Sequence, residues 1–355
     1  MSNPEASSHR RPLPVVFSCS GESLTSPERR FFGETNPFGF ILFQRNCNSR
    51  DQVRWLIKEL RQVTGRQDVP ILIDQEGGRV SRLQPPQWPT HPPARLFGIM
   101  YERDPEWGTE AMRLYARIVA DELWQLGINV DCAPVLDLFM EGATSAIGDR
   151  AISRKPAVVA ALARVWSETF LANGILPVIK HLPGHGRMSL DPHQLAVRIG
   201  ATRAELESDD FVPFELLKDM PLGMNSHAVF TALDADAPAS LSAKVTENVI
   251  RGSLGFDGLL FSDDLNMKAL KGAPADLAQS ALAAGADVAL WCNGTLPEMG
   301  AIATALQPMS DSSWERWMHA RGMTRWPKDD YTPEADSARL DMLLGASAFQ
   351  VRVIT

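Results

Sequence analysis

The chain has 355 residues, of which 45% are apolar and 22% charged, an ordinary globular composition that can bury a large core without disulfide or metal staples. Thirty-five Lys and Arg stand against 43 Asp and Glu, a net charge of −8. That balance argues against general nucleic-acid or anionic-membrane binding, where a basic patch is the usual footprint; it leaves room for an anionic small substrate held by a few local cations.

In chain order, MSNPEASSHRRPLP leads into only a short apolar run, VVFSC at 15–19. That run is too short for a secretory leader, and no stretch approaches the length of a membrane span. Residues 1–12 or so are therefore expected to be a flexible lead-in to a cytoplasmic protein. Cys19, Cys47, Cys132 and Cys292 lie far apart without CxxC spacing and read as reduced. Apolar, β-branched runs recur at 39–43, 69–73, 128–135, 175–179, 221–224, 258–261 and 286–291. Their near-continuous hydrophobicity suits strands buried on both faces of a parallel sheet.

Amphipathic segments alternate with these runs. Residues 50–63 place Val53, Leu56, Ile57 and Leu60 on one helical face, with Ser49 and Gln52 fitting a capping box. Residues 109–126 repeat Met112, Tyr115, Val119, Leu123 and Leu126 at helical spacing up to Gly127, and Asn173-Gly174 ends a helix at 157–172. Eight strands alternating with helices predict a single-domain (β/α)8 barrel, with a doubly wound sheet as the second choice. No linker divides the chain, and residues 310–355 are expected to close the barrel with one or two helices.

In a barrel, chemistry gathers at the C-terminal strand ends. There the sequence sets Asp74, Glu76, Arg79 and Arg82; Asp137 and Arg150; Lys180, His181 and His185, with Asp191 and His193 beyond; Asn225 and His227; and Asp263 with Asp264. Taken singly, these have plain readings. Asp74 or Asp263 can cap a helix, His227 can be a satisfied buried group, and Arg150 can pair with Asp149 or Asp137 on the surface. His9, His91 and His319 are given only such readings. Co-location on one rim is the argument for an enzyme.

Two chemistries fit. A metal hydrolase would use His181, His185, His193 and Asp263, but helix-spaced ligand pairs and an HxH after the first strand are missing, so no metal or other cofactor is expected. Glycoside cleavage needs a carboxylate on one face of the sugar and a proton donor on the other. Asp263 suits the first, and an Asp191–His193 pair on a mobile-looking loop suits the second.

The segments ILFQRN (41–46), IDQEGGRVSRL (73–83), APVLDL (133–138), IGDRAIS (147–153), KHLPGHG (180–186), DPH (191–193), FSDDLNM (261–267) and AGADVALWCN (284–293) stand in family order. Together they closely resemble the β-N-acetylhexosaminidase branch of glycoside hydrolase family 3, and within it the bacterial cytosolic enzymes of peptidoglycan recycling. The resemblance implies a TIM-like barrel acting on a small carbohydrate; the charge balance leaves no nucleic-acid or membrane partner expected, and the chain is expected to act as a monomer. The resemblance further implies retaining removal of terminal β-N-acetylglucosamine from muropeptides through a covalent glycosyl-enzyme. By motif match it makes Asp263 the nucleophile, with Asp264 its rival, His193 the general acid/base and Asp191 its partner. Asp74, Arg82, Arg150, Lys180 and His181 would bind the sugar. The chain departs from the family pattern at Pro192, where Ser is usual, and at Leu182, where Phe is usual; neither change removes a catalytic group. A family 3 glycosidase for another sugar and a silent sugar-binding protein are the competing readings.

Overall fold

A computed structural model describes residues 11–140, 146–188, 197–267, 269–325 and 332–352. The eight apolar runs form eight strands: β1 Leu13–Phe17, β2 Pro37–Leu42, β3 Ile71–Ile73, β4 Val130–Asp131, β5 Leu176–Leu182, β6 Leu222–Asn225, β7 Leu259–Asp264 and β8 Val288–Trp291. Each pairs in parallel with its sequence neighbours, and β1 pairs with β8 through Val15 and Ala289, so the sheet closes into a barrel. Closure rules out the doubly wound alternative, whose sheet has two open edges.

Strand alternation sorts the core. Val16, Leu72, Val130, Val178, Leu222 and Phe261 fill the barrel interior. Their strand neighbours Val15, Ile71, Ile73, Ile179 and Leu260 face the helices. β4 is much shorter than the apolar run 128–135, because Pro134 has no N–H to give the ladder; Val135 then rejoins β5 opposite Lys180. β5 and β7 run further than hydrophobicity alone marks, so Lys180, His181, Asp263 and Asp264 lie within strands.

The helices follow the same logic. α1 is Ser26–Thr35. α2, Arg50–Thr64, buries Val53, Leu56, Ile57 and Leu60. Its expected capping box is half formed: Ser49 Oγ accepts the Gln52 N–H, but Gln52 Oε1 takes the N–H of Asn48 instead of that of Ser49. α3 is Ala94–Arg103. α4, Pro105–Leu126, starts earlier than its apolar stripe because Asp104 caps it and Pro105 is preset for the first turn. Gly127 ends α4 at φ 88°, a left-handed position where a Cβ is costly. α5 is Pro156–Ala172. Helical runs at 203–216 and 243–253 are followed by α6 Pro274–Ala283 and α7 Leu296–Ala305.

α8, Asp311–Met323, sets Trp317 into the interior cluster, edge-on to Phe38 at 4.9 Å between ring centroids. α9, Pro333–Arg352, is tied to α4 by the Arg117–Asp336 and Arg339–Glu110 pairs. Among the described residues no helix is long and apolar enough to cross a membrane.

Candidate active site

The period of two that buries Leu176 and Val178 also carries Lys180 to the barrel axis, and Leu72 does the same for Asp74. Lys180 Nζ lies 3.0 Å from Asp74 Oδ1 and 2.7 Å from Glu76 Oε1. Arg82 Nη2 donates to the other Asp74 oxygen at 3.0 Å. Arg150 grips Glu76 with two bonds, Nε to Oε2 at 2.7 Å and Nη2 to Oε1 at 2.8 Å. Three cations thus face two carboxylates in a buried network. Burial alone would raise both carboxyls. Lys180, aided by Arg82 at Asp74 and by Arg150 at Glu76, instead holds them below the usual carboxylate range. Burial would lower the Lys180 ammonium, but Glu76 and Asp74 raise it.

Arg150 therefore does not make the surface pair considered from sequence. Its partner is the buried Glu76, while Asp149 pairs with Arg79 at 3.1 Å. A buried guanidinium takes the carboxylate that offers a planar bidentate fit.

The imidazoles are fixed from behind. Asp137 Oδ2 lies 2.6 Å from His181 Nδ1, and Asp137 Oδ1 accepts the His185 N–H at 2.6 Å. Burial opposes the charge on Asp137, but His181 keeps its carboxyl low. An ionised carboxylate can only accept, so the His181 proton sits on Nδ1. His185 Nδ1 meets Ser226 Oγ at 2.6 Å, and burial, then His181, pushes its imidazole down to about 4. His227 uses both ring nitrogens, on Ser240 Oγ at 2.6 Å and on the Asp264 carbonyl at 2.9 Å; it is the satisfied buried group its isolation suggested. His91 likewise pairs with Glu122, at 2.9 Å.

Asp263 and Asp264 part company at the end of β7. Asp263 continues the inward face of Leu259 and Phe261. One of its oxygens accepts the Asp264 N–H at 2.8 Å. Burial works against its charge, and attraction from His227 and His181 outweighs this to hold the carboxyl low. Asp264 spends Oδ1 on the N–H groups of Asn266 and Cys292, both at 3.0 Å, and burial pushes its carboxyl up. It ties a turn, whereas Asp263 stays ionised at the mouth of the barrel.

Asp191, Pro192 and His193 lie outside the described residues. The start of their loop is not the unpinned segment that its composition suggests. Arg187 pairs with Asp209 at 2.6 Å and Asp210 at 2.5 Å, Met188 is buried, and a Cβ on Gly186 would come within 2.2 Å of the Leu138 carbonyl oxygen. The structure thus joins Asp74, Arg82, Arg150 and Lys180 in one network and sets His181 next to Lys180 on β5 and Asp263 on β7, with β6 between them. Glu76 and Asp137, which hold these side chains, were on the rim in sequence but without a role. The available signal was charge balance, since Lys180, Arg82 and Arg150 could not be buried against Asp74 alone. Among the described residues no three Asp, Glu, His or Cys side chains are grouped to hold a metal ion.

A cradle of fixed donors beside an ionised carboxylate can bind a neutral polyol and attack it. The family model of the glycosyl hydrolase family 3 N-terminal domain matches residues 32–313. A beta-hexosaminidase of Chromobacterium violaceum is 34% identical over 333 residues, 92% of each chain. One of Thioalkalivibrio sulfidiphilus is 36% identical over 335 residues, 92% of this chain and 94% of its own. The crystal structure of NagZ from Neisseria gonorrhoeae in complex with N-trifluoroacetyl-D-glucosamine is 29% identical, covers 96% of this chain and 98% of its own, and superposes with a TM-score of 0.81. Barrel, rim and matched span together make the chain a member of glycoside hydrolase family 3.

Proposed function

We propose that the protein is a β-N-acetylhexosaminidase of the exo-acting, retaining type. It removes non-reducing terminal β-1,4-linked N-acetylglucosamine from cytoplasmic muropeptides, N-acetylglucosaminyl-1,6-anhydro-N-acetylmuramic acid with or without its peptide. The observation that carries this is the ionised Asp263 at the barrel mouth beside the Asp74–Lys180–Glu76–Arg150 network. The names of the relatives agree with it, as does the N-acylglucosamine analogue in the Neisseria complex.

In this reading the Asp263 carboxylate attacks the anomeric carbon as the glycosidic C–O bond breaks, and His193 passes its proton to the leaving oxygen. Asp191 orients the imidazole. Water then attacks the glycosyl-enzyme, gives a proton back to His193, and frees Asp263. Asp74 accepts hydrogen bonds from sugar hydroxyls; Arg82, Arg150, Lys180 and His181 present donors whose geometry their partners already fix. The chemistry calls on no metal or cofactor, and the protein acts as a monomer of one catalytic domain.

The test is hydrolysis of 4-nitrophenyl N-acetyl-β-D-glucosaminide with EDTA present. Wild type should turn over, Asp263→Asn should lose about a thousandfold or more in kcat, and Asp264→Asn should keep most of it. Absence of wild-type turnover would move the reading to another sugar or to a silent binder. Activity retained in Asp263→Asn and lost in Asp264→Asn would reverse the nucleophile assignment.

A further inference from the structure

Arg45 stands apart from the other cations of the rim. Arg82, Lys180 and Arg150 each meet a carboxylate. Arg45 is held by four neutral acceptors: Nε donates to the Cys19 carbonyl at 3.2 Å, Nη1 to Asn293 Oδ1 at 2.8 Å, and Nη2 to Ser18 Oγ at 2.8 Å and the Cys292 carbonyl at 3.1 Å. These bonds lock the guanidinium in place and leave its charge without a carboxylate partner among the described residues. It borders a cleft of about 420 Å³ at the ends of β1 and β8. The one carboxylate lining that cleft, Glu28, is committed to the Ser20 N–H at 2.7 Å and to Thr25 through its N–H at 2.8 Å and its hydroxyl at 2.7 Å.

Two chains of contacts lead from Arg45 to the residues of the sugar site. The half-buried Phe43 ring has the Arg45 guanidinium 4.7 Å from its centroid and that of Arg82 5.2 Å away, and Arg82 holds Asp74. On the other flank, Cys292 accepts from Arg45 with its carbonyl and donates its N–H to Asp264, next to Asp263. The Phe43 ring thus links the guanidinium that holds Asp74 to a prepositioned cation that meets no carboxylate among the described residues.

Building on the glycosidase reading, we infer that this cleft is the leaving-group site and that Arg45 there binds a carboxylate carried by the leaving sugar. A fixed cation without a counter-charge gains more from an incoming anion than one already paired, because no existing ion pair has to be broken.

The test compares two substrates with the full-length enzyme at low salt: N-acetylglucosaminyl-1,6-anhydro-N-acetylmuramic acid, and the same disaccharide with its lactyl carboxylate converted to the amide. Wild type should prefer the acid by about tenfold in kcat/KM, and the preference should shrink as salt is raised. In Arg45→Gln the acid-to-amide ratio should fall to about one, and Arg45→Lys should recover part of it. The ratio is internal to each variant, so loss of folded enzyme does not mimic the result; should Arg45→Gln fail to fold, the salt dependence of the wild-type ratio decides. A wild-type ratio near one, or the same ratio in Arg45→Gln as in wild type, overturns the inference while leaving the glycosidase reading intact. Failure to cleave either disaccharide or the aryl glycoside overturns both.

Discussion

Asp131 shows how a single buried group can set a pH dependence for the whole chain. It leaves β4 on the side facing the helices, where Oδ1 accepts the Gln75 N–H at 2.9 Å and Oδ2 has no partner among the described residues. Burial, outweighing the Gln75 bond and Lys180, pushes its carboxyl up to about 8. An Asp in the unfolded chain titrates near 4. Between about pH 4 and pH 8 the folded protein therefore binds a proton that the unfolded chain has released, and stability falls as pH rises through that window. Asp131→Asn keeps the acceptor for Gln75 and cannot ionise. It should match wild type near pH 4.5 and exceed it by about 1–3 kcal/mol at pH 8. Urea unfolding at the two pH values checks this; a wild-type slope that persists unchanged in the variant would assign the linkage to another group. Gln75 is also the residue between Asp74 and Glu76, and its Oε1 accepts the N–H groups of Arg82 and Leu83. Asp131 thus supports the segment that carries Asp74 and Glu76.

Among the elements, the loop after β5 leads to Asp191 and His193, and its first residues are held by one arginine. Arg187 bridges to Asp209 and Asp210 at the π-helical turn within the run 203–216. Burial drives the Asp210 carboxyl up to about 6 in spite of Arg187. Removing the guanidinium leaves a buried acid without its cation, so Arg187→Ala should cost about 2–4 kcal/mol and should lower kcat by freeing the base of the segment that carries His193. A thermal melt and steady-state kinetics on the aryl glycoside check both; an unchanged melting temperature with unchanged kcat would mean that Gly186 and Met188 hold this turn unaided. The composition of the loop read as unpinned because its anchor is a through-space pair with a helix some 20 residues later. The helix caps were more legible, since Ser49, Asp104 and Gly127 act on backbone groups within a few residues.

For the whole molecule, the barrel has an active mouth and a plugged base. The base is filled by Trp317, which is 2% exposed, together with Met309 and Ala320. Trp317→Ala removes the largest side chain of that plug and should cost about 3–5 kcal/mol. Turnover at 25 °C should survive in whatever fraction stays folded, because the catalytic rim is at the other end of the strands. A urea midpoint with activity measured in parallel checks this, and a kcat loss in fully folded variant would show that the base reaches the site through the strands.

The eight apolar runs, the left-handed glycine at the end of α4 and the inward face of each strand follow from local rules: hydrophobicity at a period of two, backbone freedom at φ above zero, and alternation of side chains. Those rules sufficed to put Asp74, Lys180 and Asp263 on one rim and to favour a closed barrel. Closure itself, the bidentate Glu76–Arg150 pair across 74 positions and the Asp137–His181 pair across 44 were decided only by the tertiary structure. Pair energies depend on distances of a few ångströms that exist only after long stretches of intervening chain have folded back. Sequence spacing places a charge at a strand end; the packed barrel chooses its partner.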